Sequence, residues 1–134
     1  MRRLLIAAAA GMLWAAGAQA HHSFAAEYNA DDAVTLRGKI TKVNLINPHS
    51  WIYIDVKQPD GTVANWGIEG GTPNALFRRG FTKNSLPVGT EIIVSGFRAK
   101  NKSNSAVGVD VTFADGKKLF LGGTGPGPDA LPER

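Results

Sequence analysis

The chain has 134 residues, with 15 Lys and Arg against 11 Asp and Glu, 43% hydrophobic residues, 16 Gly, 7 Pro and no Cys. That length supports one compact domain, and the missing cysteines exclude a disulfide scaffold, a CxxC redox site, a cysteine nucleophile and a zinc ribbon. In chain order, Met1-Arg2-Arg3 is a basic start, Leu4 to Ala16 an apolar stretch and Ala18-Gln19-Ala20 a small-x-small cleavage site. This is the order of a secretory signal over residues 1–20. The apolar run is shorter than the roughly 20 residues that cross a bilayer, so a cleaved signal is expected, with no membrane span left after cleavage. Arg2-Arg3 lacks the rest of a twin-arginine motif, and no cysteine follows for lipid attachment. A Sec-type signal and a periplasmic or secreted location are therefore expected, with His21 as the first residue after processing.

Without Arg2 and Arg3 the basic side chains fall from 15 to 13, against 11 acidic ones. The nearest clusters, Arg78-Arg79 and Arg98/Lys100/Lys102, are not interleaved with aromatics as a nucleic-acid groove would be. Nucleic acid is not an expected partner.

Residues 21–33 read as an N-terminal arm, and 34–121 as a mostly β domain. From Val34 to Ile46 the alternation changes phase near Thr41-Lys42, which one extra residue in a long strand would cause, a β-bulge. The next strand, about Ser50 to Lys57, leads into Gln58-Pro59-Asp60-Gly61-Thr62, whose Pro, Asp and Gly each suit a tight turn. Placing Gln58 opposite Thr62 pairs Ile54 with Trp66, Ile52 with Ile68 and Val56 with Ala64 on one apolar face. The other face then pairs Trp51 with Glu69, Tyr53 with Gly67 and Asp55 with Asn65. Thr72-Pro73 through Arg78-Arg79-Gly80 has the N-cap, first-turn Pro, terminal cations and Gly stop of a two-turn helix. Strands are expected over Glu91 to Arg98 and along Val107, Val109, Val111 and Phe113, with a short return over Lys117 to Leu121. Residues 122–134 (GGTGPGPDALPER) are Gly/Pro-rich and expected to be disordered. Five or six strands with one short helix between the third and fourth is the order of a small OB-like Greek-key barrel. A β-sandwich is the alternative.

HHSFAAEY after the signal, LRGKITKVNLINPHSWIYIDV, NWGIEGGTPNALFRRGF and LPVGTEIIVSGFRAKN together resemble a family of small exported bacterial proteins, domain of unknown function 6152. The resemblance covers His21 to about Phe120. It implies an exported small β-domain and supplies no activity, substrate or cofactor.

Two groups of residues are candidates for function. After processing, the amine and imidazole of His21 can close a chelate ring on one metal ion, with His22 adjacent and His49 at the start of the second strand. Three or four nitrogen donors in a near-planar set suit Cu(II) or Ni(II), whereas three His with an open position suit Zn(II). In this single feature the arrangement resembles the copper sites of lytic polysaccharide monooxygenases and of some periplasmic copper carriers. It requires residues 23–32 to fold back until the terminus meets His49; otherwise His21 and His22 form a loose terminus. The second candidate is the outward face of Trp51, Tyr53, Glu69 and Asn65, with Asn47 at its edge, as a stacking and hydrogen-bonding platform for a small ligand or a protein. In the competing arrangement Phe24 and Tyr28 pack over Trp51 and Tyr53. No nucleophile elbow, P-loop, HExxH helix or dinucleotide fingerprint is present, so no catalytic residue is assigned. A binding module is expected, with a small copper-dependent oxidase as the enzymatic alternative.

Overall fold

The computed structural model describes residues 24–123, 125–127 and 131; the expected signal segment, His21 and His22 lie outside them. After a helical turn at 24–27 the elements follow as β1 (Tyr28–Asn44), β2 (Trp51–Lys57), β3 (Val63–Glu69), α1 (Pro73–Arg78), β4 (Glu91–Ala99), β5 (Ser105–Phe113) and β6 (Lys118–Phe120). They form one sheet in the order β3-β2-β1-β4-β5-β6, and β3 also pairs with β5. Five strands therefore close in a ring, as an OB-like barrel requires, and β6 lies beyond it against β5. A single continuous sheet rules out the sandwich. Among the described residues no helix is long and apolar enough to cross a membrane.

The long first strand makes the ring possible because it serves two neighbours. Its middle pairs with β4 from Ala33 to Lys39, and its second half pairs with β2 from Gly38 to Asn44. The expected phase change is present as a register shift between Ile40 and Lys42. Leu36 and Ile40 point inward before it, and Val43 packs on the same core after it. Gly38 sits where both neighbours approach, and a Cβ there would lie 2.5 Å from the Asp55 carbonyl oxygen. The strand starts at Tyr28, so residues 28–33, assigned to the arm by the sequence, belong to β1.

The β2–β3 hairpin has the expected register at every pair from Trp51↔Glu69 to Val56↔Ala64. Its turn closes with Gln58 N–H donating to Thr62 O at 2.8 Å, with Gly61 at φ 86°. The Thr62 hydroxyl and amide donate to the Asp60 carboxylate, which holds that carboxyl below its ordinary range. In α1 the Thr72 hydroxyl accepts from Ala75 N–H at 3.2 Å, satisfying an otherwise orphaned donor. Leu76, Phe81 and Leu86 then join the barrel interior with Ile52, Ile54, Trp66 and Ile68.

One expectation needs correction. Val107, Val109, Val111 and Phe113 alternate in sequence as if they shared a face, but the β4–β5 register shifts between Ser95 and Gly96. Val111 and Phe113 consequently belong to the barrel interior, while Val107 and Val109 join Phe24, Tyr28, Phe97 and Ala99 in a second, outer cluster. An inserted residue moves later side chains to the other face, and four evenly spaced apolar residues give no sign of it. Of the Gly/Pro-rich segment expected to be disordered, the described residues Gly122, Gly123 and Gly125 are partly buried. A Cβ on Gly125 would lie 2.7 Å from the Phe24 ring.

Candidate functional site

Glu69 ends β3 with its carboxylate on the outside of the barrel, yet the residue is only 4% exposed. A carboxylate removed from water needs partners, and two side chains supply them. The Tyr28 hydroxyl donates to Oε2 at 2.5 Å, and His49 Nδ1 lies 3.3 Å from Oε1. The Tyr28 pairing with Ala99 on β4 places its ring there, and the Trp51↔Glu69 and Glu69↔Val107 pairings fix the carboxylate between β2 and β5. Burial, and then the hydrogen bond to Glu69, push the Tyr28 hydroxyl well above a tyrosine's ordinary pKa. The phenol therefore stays a donor, which is what the carboxylate needs.

His49 is held by the backbone on its C-terminal side, where Ser50 N–H donates to Gly71 O at 2.9 Å and Ser50 O accepts from Gly70 N–H at 2.8 Å. Its side chain is 30% exposed, while Nδ1 itself is buried against Glu69 outside strict hydrogen-bond geometry. A carboxylate facing one ring nitrogen favours the tautomer with its proton there. That leaves Nε2 as a lone-pair donor, the arrangement that commonly backs a metal-binding histidine.

Beside this cluster lies the aromatic platform. Trp51 and Tyr53 stack with centroids 6.4 Å apart and planes at 24°. Both rings lean over Gly67, lying 3.5 Å from where a Cβ would stand. Lys42 Nζ sits 5.6 Å from the Tyr53 centroid. Asn65 is committed within the sheet, donating to Asp55 Oδ1 at 2.8 Å and to Thr41 Oγ1 at 3.1 Å. Asn47 is exposed at the edge.

The structure thus brings Trp51, Tyr53, Asn65 and Glu69 onto one face and joins His49 to it through Glu69. His21 and His22 fall outside the described residues, and among those described no three His, Cys, Asp or Glu side chains converge on a common point. Phe24 and Tyr28 do not stack on Trp51 and Tyr53. Their ring partners are each other, at 5.9 Å, and for Phe24 also Phe97, at 6.0 Å edge-on. The sequence reading missed Tyr28 as the partner of Glu69, and it missed the 100–105 loop, which forms a cleft with Tyr28 and Trp51. The available signal was Glu69 itself, an acid at a position destined for burial beside a closing strand. A family model described as a family of unknown function (DUF6152) matches residues 10–109. No curated protein matches the chain.

Proposed function

We propose, from the premise that the chain belongs to the family of unknown function DUF6152, that it is an exported small binding module for a divalent transition metal, with Cu(II) preferred. His49 Nε2 and the processed terminus, through the amine and imidazole of His21 with His22 beside it, supply the donors. The observation that carries this reading is the shared carboxylate of Glu69. One of its oxygens faces His49 Nδ1 and the other accepts from Tyr28, on whose ring Phe24 stacks. The chain entering at Phe24 is therefore tied to the group that orients His49, and the chelate requires His49 to lie within the span of about 10 Å that three residues can cover.

The choice of metal follows from the donors. Nitrogen ligands favour Cu(II) over the other divalent first-row ions. Both methionines, Met1 and Met12, lie in the segment expected to be removed, and no cysteine exists, so a soft Cu(I) site has no ligands. Glu69 and Tyr28 act as positioning residues in this scheme, and the module needs no turnover.

Calorimetric titration of protein beginning at His21, with Cu(II), Ni(II) and Zn(II), tests the reading beside a variant carrying one extra N-terminal alanine. One-to-one Cu(II) binding is expected, weakened at least about tenfold, or 1.4 kcal/mol, by the extra alanine and again by His49→Ala. Equal affinity in all three proteins would defeat the chelate. Glu69→Gln should weaken binding less than His49→Ala, as removal of an orienting group does.

A further inference from the structure

We infer that the cleft between Trp51 and the 100–105 loop binds a neutral pyranose ring, such as the unit of an oligosaccharide. The cleft holds about 380 Å³, within the lower range of small-ligand sites. The proposal is independent of metal binding and stands on the two walls and on how they are held.

One wall is the indole of Trp51, half-buried and braced by Gly67 beneath it and Tyr53 beside it. An aromatic face carries negative charge density, and the axial C–H bonds of a pyranose present a weakly positive, apolar surface to it. The other wall offers Asn101, Ser103 and Glu27, together with Ser105, whose hydroxyl also bonds the Tyr28 phenol. Amide, hydroxyl and carboxylate groups match sugar hydroxyls, each of which donates one hydrogen bond and accepts others. The lining cation, Lys100, donates its ammonium to the Ala25 carbonyl. Its charge is balanced by the one lining carboxylate, Glu27, so the cleft presents no net positive charge to a phosphate or nucleotide. The mixed lining likewise disfavours a lipid chain, which needs a continuous apolar wall.

The loop is built before any ligand arrives. Arg98 donates from Nε to Ser103 O at 3.2 Å and from Nη2 to Lys102 O at 2.6 Å. Ser103 N–H donates to Asn101 Oδ1 at 3.0 Å, and Asn104 O accepts from Gly67 N–H at 3.0 Å. Lys102 takes a left-handed backbone, φ 61°, and pairs with Asp32 at 2.5 Å. A loop pinned at four consecutive residues loses little freedom on binding, so weak polar contacts retain their value.

The test is a titration, with EDTA present, of maltose, cellobiose and N,N′-diacetylchitobiose, read by tryptophan emission and by backbone amide shifts of residues 100–105. At least one disaccharide should shift both signals saturably at about 10 mM or below. Protein beginning at His21 lacks Trp14 and Trp66 is only 5% exposed, so the emission change should come from Trp51. Trp51→Ala should weaken binding about tenfold or more. Ser103→Ala, at an exposed position, should weaken it about threefold to tenfold without disturbing the fold. Inorganic phosphate should leave the loop amides in place. The proposal is overturned if no disaccharide moves the loop amides, if the shifts survive both substitutions undiminished, or if phosphate saturates the loop at lower concentration than the sugars. Because the metal is chelated throughout, none of these outcomes bears on the metal reading.

Discussion

The barrel interior and the cluster outside β4 and β5 are both apolar, but they are made differently. The interior is lined by strands whose neighbours are set by pairing, and it contains Ile52, Ile54 and Ile68 at 0% exposure. The outer cluster is assembled from the start of the chain, Phe24 and Tyr28, laid on Phe97, Ala99, Val107 and Val109, with Leu131 packed against it. The first holds the fold together. The second holds the chain's entry beside Glu69. Stability and site geometry therefore rest on separate sets of contacts, joined at the bulge between β4 and β5.

Substitutions that strike one cluster and spare the other sharpen this comparison. Ile54→Ala empties a fully buried position and should cost about 4 kcal/mol, measured by chemical denaturation, with the transition still cooperative. Gly96→Ala attacks the junction, since its Cβ would lie 2.0 Å from the Val107 carbonyl oxygen; a loss of about 3 kcal/mol is expected from the forced backbone shift. Phe24→Ala should cost about 2 kcal/mol, less than a closed core position, because the edge of the molecule can collapse around the gap. Its larger effect should be faster amide exchange over residues 24–30 and weaker Cu(II) binding by the processed protein. If Phe24→Ala lowered global stability as much as Ile54→Ala, the two clusters would be one cooperative core and the comparison would fail.

The smallest effect is the most specific. Tyr28→Phe removes the hydroxyl that donates to the buried Glu69 carboxylate and should cost about 1.5 kcal/mol at neutral pH, leaving Glu69 with His49 alone. Its pH dependence follows from the raised Tyr28 pKa. In the unfolded chain a tyrosine loses its proton near pH 10, whereas the folded protein keeps it to higher pH. Above about pH 10 the unfolded state thus binds fewer protons, and the protein loses stability as pH rises. Below that pH both states hold the proton and this contribution is complete. Denaturation curves collected between pH 8 and pH 11 should show the decline in the parent and a shallower one in Tyr28→Phe; parallel declines would mean that the Tyr28–Glu69 contact is not kept in solution.

What could be read in the sequence followed local chemistry. The hairpin register came from Pro59-Asp60-Gly61 together with the alternation on either side, and helix α1 from Thr72, Pro73 and Gly80, so both were fixed by residues close to one another. The β5 bulge was hidden because Val107, Val109, Val111 and Phe113 keep a perfect period of two across it. Tyr28 and Glu69 are 41 residues apart, and no local pattern joins them. Their contact depends on β1 starting six residues earlier than its alternation suggests, in the stretch where Asn29, Asp31 and Asp32 mask a strand. The platform was legible because Trp51, Tyr53 and Glu69 share a face by parity alone. The opposing wall of the cleft was not, because residues 100–105 meet Trp51 only through the parallel pairing of β3 with β5.

That pairing, Gly67 to Glu69 alongside Ser105 to Val107, also bears on the order in which the molecule forms. Hairpins close quickly because their partners are near in sequence, whereas the β1–β4 and β3–β5 pairings must each bring distant segments together, at an entropic cost. The closing contact carries Glu69 at one end and Ser105 at the other, and the Tyr28 bond reaches across to the same place. Ring closure and completion of the site therefore depend on the same contact. Without that contact the molecule has neither the buried carboxylate nor the cleft.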